Sequence, residues 1–184
     1  MTDMAVSADN LGLPPPVPTA AMWLPGQALN CHVGDQSLRS WLLTPGLLTQ
    51  RIREAAGDGF AMHLLREARI GDEQIREIDM SCDNEVWMFA HTRIPATTLE
   101  AEPWLGRIGT RTLGEALEGR ATLTRESFRY AQFYPDIWLV ARALAHAALA
   151  PQPLWIRHSA LRMDAAPFDL YEVFLPNIGQ RRPR

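Results

Sequence analysis

Residues 74–95 read QIREIDMSCDNEVWMFAHTRIP, and their alternation decides the fold. Over Gln74–Cys82 the residues Arg76, Ile78, Met80 and Cys82 share one face at the two-residue period of a strand. Ile75, Glu77, Asp79 and Ser81 share the other. DNE (83–85) supplies a turn and VWMFAHTRIP (86–95) a second strand, so the stretch reads as an antiparallel hairpin. A second hairpin follows the same plan: LWIRHSALRM (154–163), a turn at DAAP (164–167), then FDLYEVFLP (168–176). FAMHLLREARI (60–70) reads as a further strand. Helical pattern lies outside these runs. DQSLRSWLLTPGLLTQRIREAAG (35–57) gives a helix, turn, helix unit over 36–56, broken at Pro45 and Gly46. It reads equally as a movable lid or as an ordinary helical hairpin. Short helices or loops fill 97–119, and a strongly apolar helix spans 136–149, closed by Pro151. Two hairpins with flanking helices, and few strands in parallel order, predict a single α+β domain built on an antiparallel sheet.

The whole chain narrows the chemistry. Its 184 residues suffice for one buried core, and 47% hydrophobic with 21% charged residues is ordinary globular composition. A net charge of -3 offers no basic footprint for nucleic acid. No apolar run reaches the roughly 20 residues a membrane-spanning helix needs. Residues 1–20 are proline-rich and read as a flexible tail without the pattern of a secretory signal. Cys31 and Cys82 match no metal spacing and read as free thiols of a cytoplasmic protein. All 18 basic residues are arginine. The absence of lysine excludes Schiff-base chemistry and a phosphate-binding P-loop lysine. No nucleophile elbow, zinc-protease motif or dinucleotide fingerprint is present either, so an enzyme reading implies no metal and no organic cofactor.

Two residues break the alternation rule. Arg76 lies on the apolar face of its strand. In FDLYEVFLP, Glu172 shares a face with Phe168, Leu170 and Phe174. A buried ion costs several kcal/mol unless it is paired. Two readings stand at this level: the two form a buried salt bridge with each other, or they line a closed pocket. In that pocket Arg76 would grip a carboxylate and Glu172 would serve acid/base chemistry.

The ordered segments WLLTPGLLTQRI, IREIDMSC, EVWMFAHTRIPATTL, LGRIGTRTLGEAL, IRHSALRM and LYEVFLP resemble the chorismate pyruvate-lyases of ubiquinone biosynthesis, from about Leu38 to Pro176. The resemblance implies an antiparallel sheet with helices on one side and helical flaps over an internal pocket. It implies cofactor-independent cleavage of chorismate to 4-hydroxybenzoate and pyruvate. It places the carboxylate-binding arginine on Arg76 and the pocket acid on Glu172. The family's other pocket positions fall on Leu113, in RTLG, and on Leu48 at the flap, in LLT. Where the family carries two arginines before a serine, this chain has Arg157–His158, which leaves Arg157 as a candidate second carboxylate contact. The implied layout is an N-terminal extension over 1–35, the lyase-like domain over 36–176 and a polar tail over 177–184, in a cytoplasmic monomer. The apolar helix is longer than the family's connection; it reads as packing or as contact with a partner. The rival reading is a binding or sensing module of the same fold, which holds a hydroxybenzoate without turning anything over.

Overall fold

Alternating strands expose two usable faces, and this sheet buries both. A computed structural model of the chain describes residues 23–46, 48–117, 123–164 and 166–180. Among these, eight strands form one wholly antiparallel sheet. They are β1 (Leu24–Pro25), β2 (Phe60–Ile70), β3 (Glu73–Cys82), β4 (Glu85–Pro95), β5 (Leu123–Arg125), β6 (Arg129–Phe133), β7 (Leu154–Met163) and β8 (Ala166–Phe174). Their order is β1-β6-β7-β8-β4-β3-β2, with β5 also pairing β7. The α+β class and both hairpins are as the alternation predicts. Asp83 and Asn84, with φ of 48° and 66°, make the two-residue turn between β3 and β4. Asn and Asp tolerate that left-handed geometry, which suits the twist of a tight hairpin.

Register turns separate strands into rows. Ile78, Ala90, Glu172, Arg157 and Tyr130 are successive cross-strand partners. The next row runs Arg76, Thr92, Leu170, Ser159. Arg76 and Glu172 therefore sit two strands and one row apart, roughly 12 Å between Cα atoms from sheet spacings.

Five short helices cover the face that bears these rows: α1 (Leu29–His32), α2 (Gln36–Leu42), α3 (Leu48–Ala56), α4 (Ala96–Ala101) and α5 (Leu113–Leu117). Asp35 starts α2, its carboxylate accepting from the Ser37 and Leu38 amides at 2.7 and 3.1 Å. This cap satisfies two of the amides a helix start leaves open. Trp41, Leu42, Leu48 and Ile52 then bury against Met80, Met88 and Phe174.

The opposite face corrects the expectation of helices on one side. There α6 (Trp138–His146) sets Leu139, Val140, Ala143 and Leu144 on Phe89, Ile156, Val173 and Leu175. Each of these leucine, valine, isoleucine and phenylalanine side chains contributes about 1.5–3 kcal/mol when buried. The apolar helix is thus shorter than 136–149, and it packs within its own domain. Among the described residues no helix is long and apolar enough to cross a membrane. The same helix explains how Glu77 and Asp79 are tolerated in the interior. Arg142 donates through Nε to Glu77 Oε2 at 2.7 Å and through Nη2 to the same oxygen. His91 Nδ1 lies 3.1 Å from Glu77 Oε1. His146 and His63 meet the two oxygens of Asp79 at 2.6 and 2.8 Å. Burial pushes the Glu77 carboxyl up, but hydrogen bonds from His91 and Arg142 and their charges outweigh it and hold it below the usual carboxylate value.

Three boundaries differ from the sequence reading. Residues 24–33, assigned to the extension, are part of the packed domain: Leu24 pairs with Tyr130 and Leu29 is fully buried. The flexible tail expected at 1–20 lies outside the described residues. Ile178, assigned to the polar tail, sits in the core. Strands β5 and β6 lie in LTRESFRYAQF (123–133), where no strand was expected, because strands of three and five residues are too short to show a period.

Candidate active site

The cavity lies between the sheet and the helices α3 and α5. Its floor is Ile78 and Met80 from β3, Met88 and Ala90 from β4, and Leu170 and Glu172 from β8. Its roof is Gly46, Leu48 and Thr49 on one side and Leu113, Gly114 and Leu117 on the other, with Arg125 closing the end. The free volume is about 40 Å³. That admits a few waters at most, whereas small-molecule pockets usually offer ~300 Å³ or more. An aromatic ring enters only as Leu48 and Leu113 move apart, so the roof must yield.

Three of the five residues singled out from sequence stand on the cavity wall: Leu48, Leu113 and Glu172. Arg76 and Arg157 stand behind it. The buried pair that the alternation allowed between Arg76 and Glu172 is not formed. Glu172 is instead gripped by its cross-strand neighbour: Arg157 Nε donates to Oε2 at 2.6 Å and Nη2 to Oε1 at 3.0 Å. This two-point fork is the strong geometry for a guanidinium and a carboxylate. The third nitrogen of Arg157, Nη1, reaches up to the helical hairpin and donates to the Thr44 carbonyl at 2.8 Å and more weakly to that of Leu42 at 3.4 Å. Arg157 is fully buried and makes four hydrogen bonds from its five N–H donors; one N–H remains on Nη2, and the residue stands behind the cavity wall rather than on it. Its work is positional: it fixes the Glu172 carboxylate and ties it to the turn between α2 and α3.

Arg76 is 2% exposed and reaches toward the segment before α5. Its Nη2 donates to the carbonyls of Gly109 at 3.0 Å and Arg111 at 2.5 Å. Glu67, its cross-strand partner, lies 3.7 Å from Nε, too long for a hydrogen bond. Nε is buried without a hydrogen-bond partner. Burial lowers the guanidinium pKa and the Glu67 charge only partly restores it. The residue keeps unmet donor capacity next to the Ile78 and Leu113 walls of the cavity.

The side chain that sequence reasoning missed is Arg125. It comes from the three-residue strand β5, which pairs Arg125 with Leu161, and no period marked it. Among the described residues no group shows metal-binding geometry.

Two comparisons with known proteins bear on this geometry. The family model described as Chorismate lyase matches residues 70–183. The chain belongs to the chorismate lyase family. A "Probable chorismate pyruvate-lyase" of Thiobacillus denitrificans is 31% identical over 84% of this chain and 88% of that protein. A "Chorismate pyruvate-lyase" of Erwinia tasmaniensis is 31% identical over 88% of this chain and 89% of its own length. The corresponding figures for a "Probable chorismate pyruvate-lyase" of Methylobacillus flagellatus are 29%, 79% and 90%. Among solved structures, the ligand-binding domain of a putative GntR-family transcriptional regulator from Bordetella bronchiseptica aligns at a TM-score of 0.43 and 14% identity, over 70% of this chain and 91% of that one. A likeness that remote carries no argument.

Proposed function

We propose that the chain is a chorismate pyruvate-lyase that converts chorismate to 4-hydroxybenzoate and pyruvate without a cofactor, the first committed step of ubiquinone biosynthesis. The observation that carries the reading is Glu172: a carboxylate held by a two-point arginine fork on the wall of a narrow, largely apolar cavity. Such a wall excludes water from a reaction that needs one proton moved and little else.

In the proposed reaction the C4–H bond of chorismate breaks and its electron pair forms the C3–C4 double bond, which completes the aromatic ring. The C3–O bond breaks, and that pair leaves with the enolpyruvyl oxygen. The methylene of the departing group takes up a proton and becomes the methyl of pyruvate. Atoms and electrons balance with no external oxidant, reductant or metal. Glu172 relays the proton from C4 toward the departing group, a role worth about 10²–10⁴-fold when general acid/base help is lost. Arg76 anchors the ring carboxylate through its unmet donors. Leu48 and Leu113 close over the ring.

The test is pyruvate release from chorismate by purified protein in the presence of a chelator, coupled to detection of 4-hydroxybenzoate. Stoichiometric appearance of both supports the reading. Binding of 4-hydroxybenzoate with no pyruvate formed would mean a binding module instead.

A further inference from the structure

The charges around Glu172 do not balance. Glu172 is matched in full by Arg157, yet Arg125 stands on the same cavity wall. Among the described residues Arg125 makes no hydrogen bond or ion pair. What it does have is an aromatic face: its Cζ lies 4.9 Å from the centre of the Phe128 ring, and Arg157 Cζ lies 4.3 Å from the same ring. Among the described residues, two guanidinium groups and one carboxylate leave one positive charge in excess. Burial lowers the Arg125 pKa, the Glu172 charge raises it and the Arg157 charge lowers it again. The neighbouring acid Glu126 is directed elsewhere, 3.8 Å from Arg162. A surplus charge on an apolar wall is costly until an anion meets it.

We propose that Arg125 is the second carboxylate anchor of the site, which binds the carboxylate of the enolpyruvyl group at the Glu172 end of the cavity while Arg76 holds the ring carboxylate. This rests on the chorismate reading above and adds a specificity residue to it. The placement follows from the substrate's own geometry. The enolpyruvyl ether sits on the carbon next to C4, so a ligand whose C4 faces Glu172 carries its second carboxylate past Glu172, toward the end that Arg125 closes. Arg157, the alternative by sequence, is engaged with Glu172 and with the Thr44 and Leu42 carbonyls and does not line the cavity. The consequence is discrimination between substrate and product. Chorismate has two carboxylates and engages both anchors; 4-hydroxybenzoate has one and leaves Arg125 unanswered once pyruvate departs.

The experiment compares two stable ligands, 4-hydroxybenzoate and 3-(carboxymethoxy)-4-hydroxybenzoate, which adds a second carboxylate through an ether link on the carbon next to C4. Their binding to the parent protein, Arg125→Met and Arg125→Lys is measured by calorimetry. Loss of a charge-assisted contact predicts that Arg125→Met weakens the dicarboxylate about 10- to 100-fold. The monocarboxylate should change less than about twofold by the same argument, and its retention also shows that the variant is folded. Arg125→Lys, which keeps the charge without the fork, should recover part of the loss. Equal weakening of both ligands, no weakening of the dicarboxylate, or a parent that does not distinguish the two would overturn the proposal. Pyruvate release is followed separately. A parent that turns over no chorismate yet shows the Arg125-dependent preference removes the lyase reading and leaves the anchor standing.

Discussion

Replacing Glu172 by glutamine perturbs two things at once, and the structure separates them. The carboxylate accepts from Arg157 Nε at 2.6 Å and from Nη2 at 3.0 Å. Glutamine keeps the shape and one accepting oxygen, but its amide nitrogen faces a donor and its charge is gone. Arg157 is then a buried cation with only the Thr44 and Leu42 carbonyls as full partners. Breaking a buried pair from one side costs about 3–5 kcal/mol. The retained carbonyl contacts and the one surviving bond bring the expectation to about 2–4 kcal/mol, on a scale of ~1.5–3 kcal/mol per charged hydrogen bond. For a chain of this size that lowers Tm by about 5–15 °C. Turnover per folded molecule falls by about 10²–10⁴ if Glu172 relays the proton. Thermal melts and initial rates of pyruvate release, measured well below the variant's Tm, read the two effects independently. An unchanged Tm would refute the Arg157 fork. A normal rate per folded molecule would refute the proton role. The double variant Glu172→Gln/Arg157→Met should regain much of the stability, because no unpaired charge remains, and none of the activity.

Three further outcomes are expected. Arg76→Ala should lower affinity for 4-hydroxybenzoate by about 2–5 kcal/mol in calorimetry, the range for a desolvated charged contact; undiminished binding would remove Arg76 as anchor. Glu77 has its folded pKa below the ordinary 4.5, so the stability it contributes is complete above that value and is lost as pH falls through the folded pKa. The Tm gap between the parent and Glu77→Gln should therefore be widest near neutrality and shrink below about pH 4.5; a constant gap would show that Glu77 is not ionised in the fold. Burial, reinforced by the Asp169 charge, pushes the Tyr171 phenol up to about 12. Because the folded state resists ionisation, stability is lost as pH rises above the ordinary 10.0, and Tyr171→Phe should resist alkaline unfolding better than the parent.

The sequence by itself determined the five long strands and the anomalies. Alternation in QIREIDMSC and FDLYEVFLP is a local property, since side chains on a strand change face at every residue; it marked Arg76 and Glu172 as polar residues on apolar faces without knowledge of any neighbour. The break at Pro45 and Gly46 was legible for the same reason. Partner choice was not. Which cation meets Glu172 depends on β8 lying between β4 and β7, and only that strand order places Arg157 opposite it and Arg76 two strands away. The position of α6 was likewise a tertiary decision, although Arg142 and His146, four residues apart on one helix, could have signalled two buried acids beneath them. Arg125 left no trace at all: β5 is three residues long, and the role proposed for it arises from where the sheet edge and two helices enclose space, a quantity that no periodicity encodes.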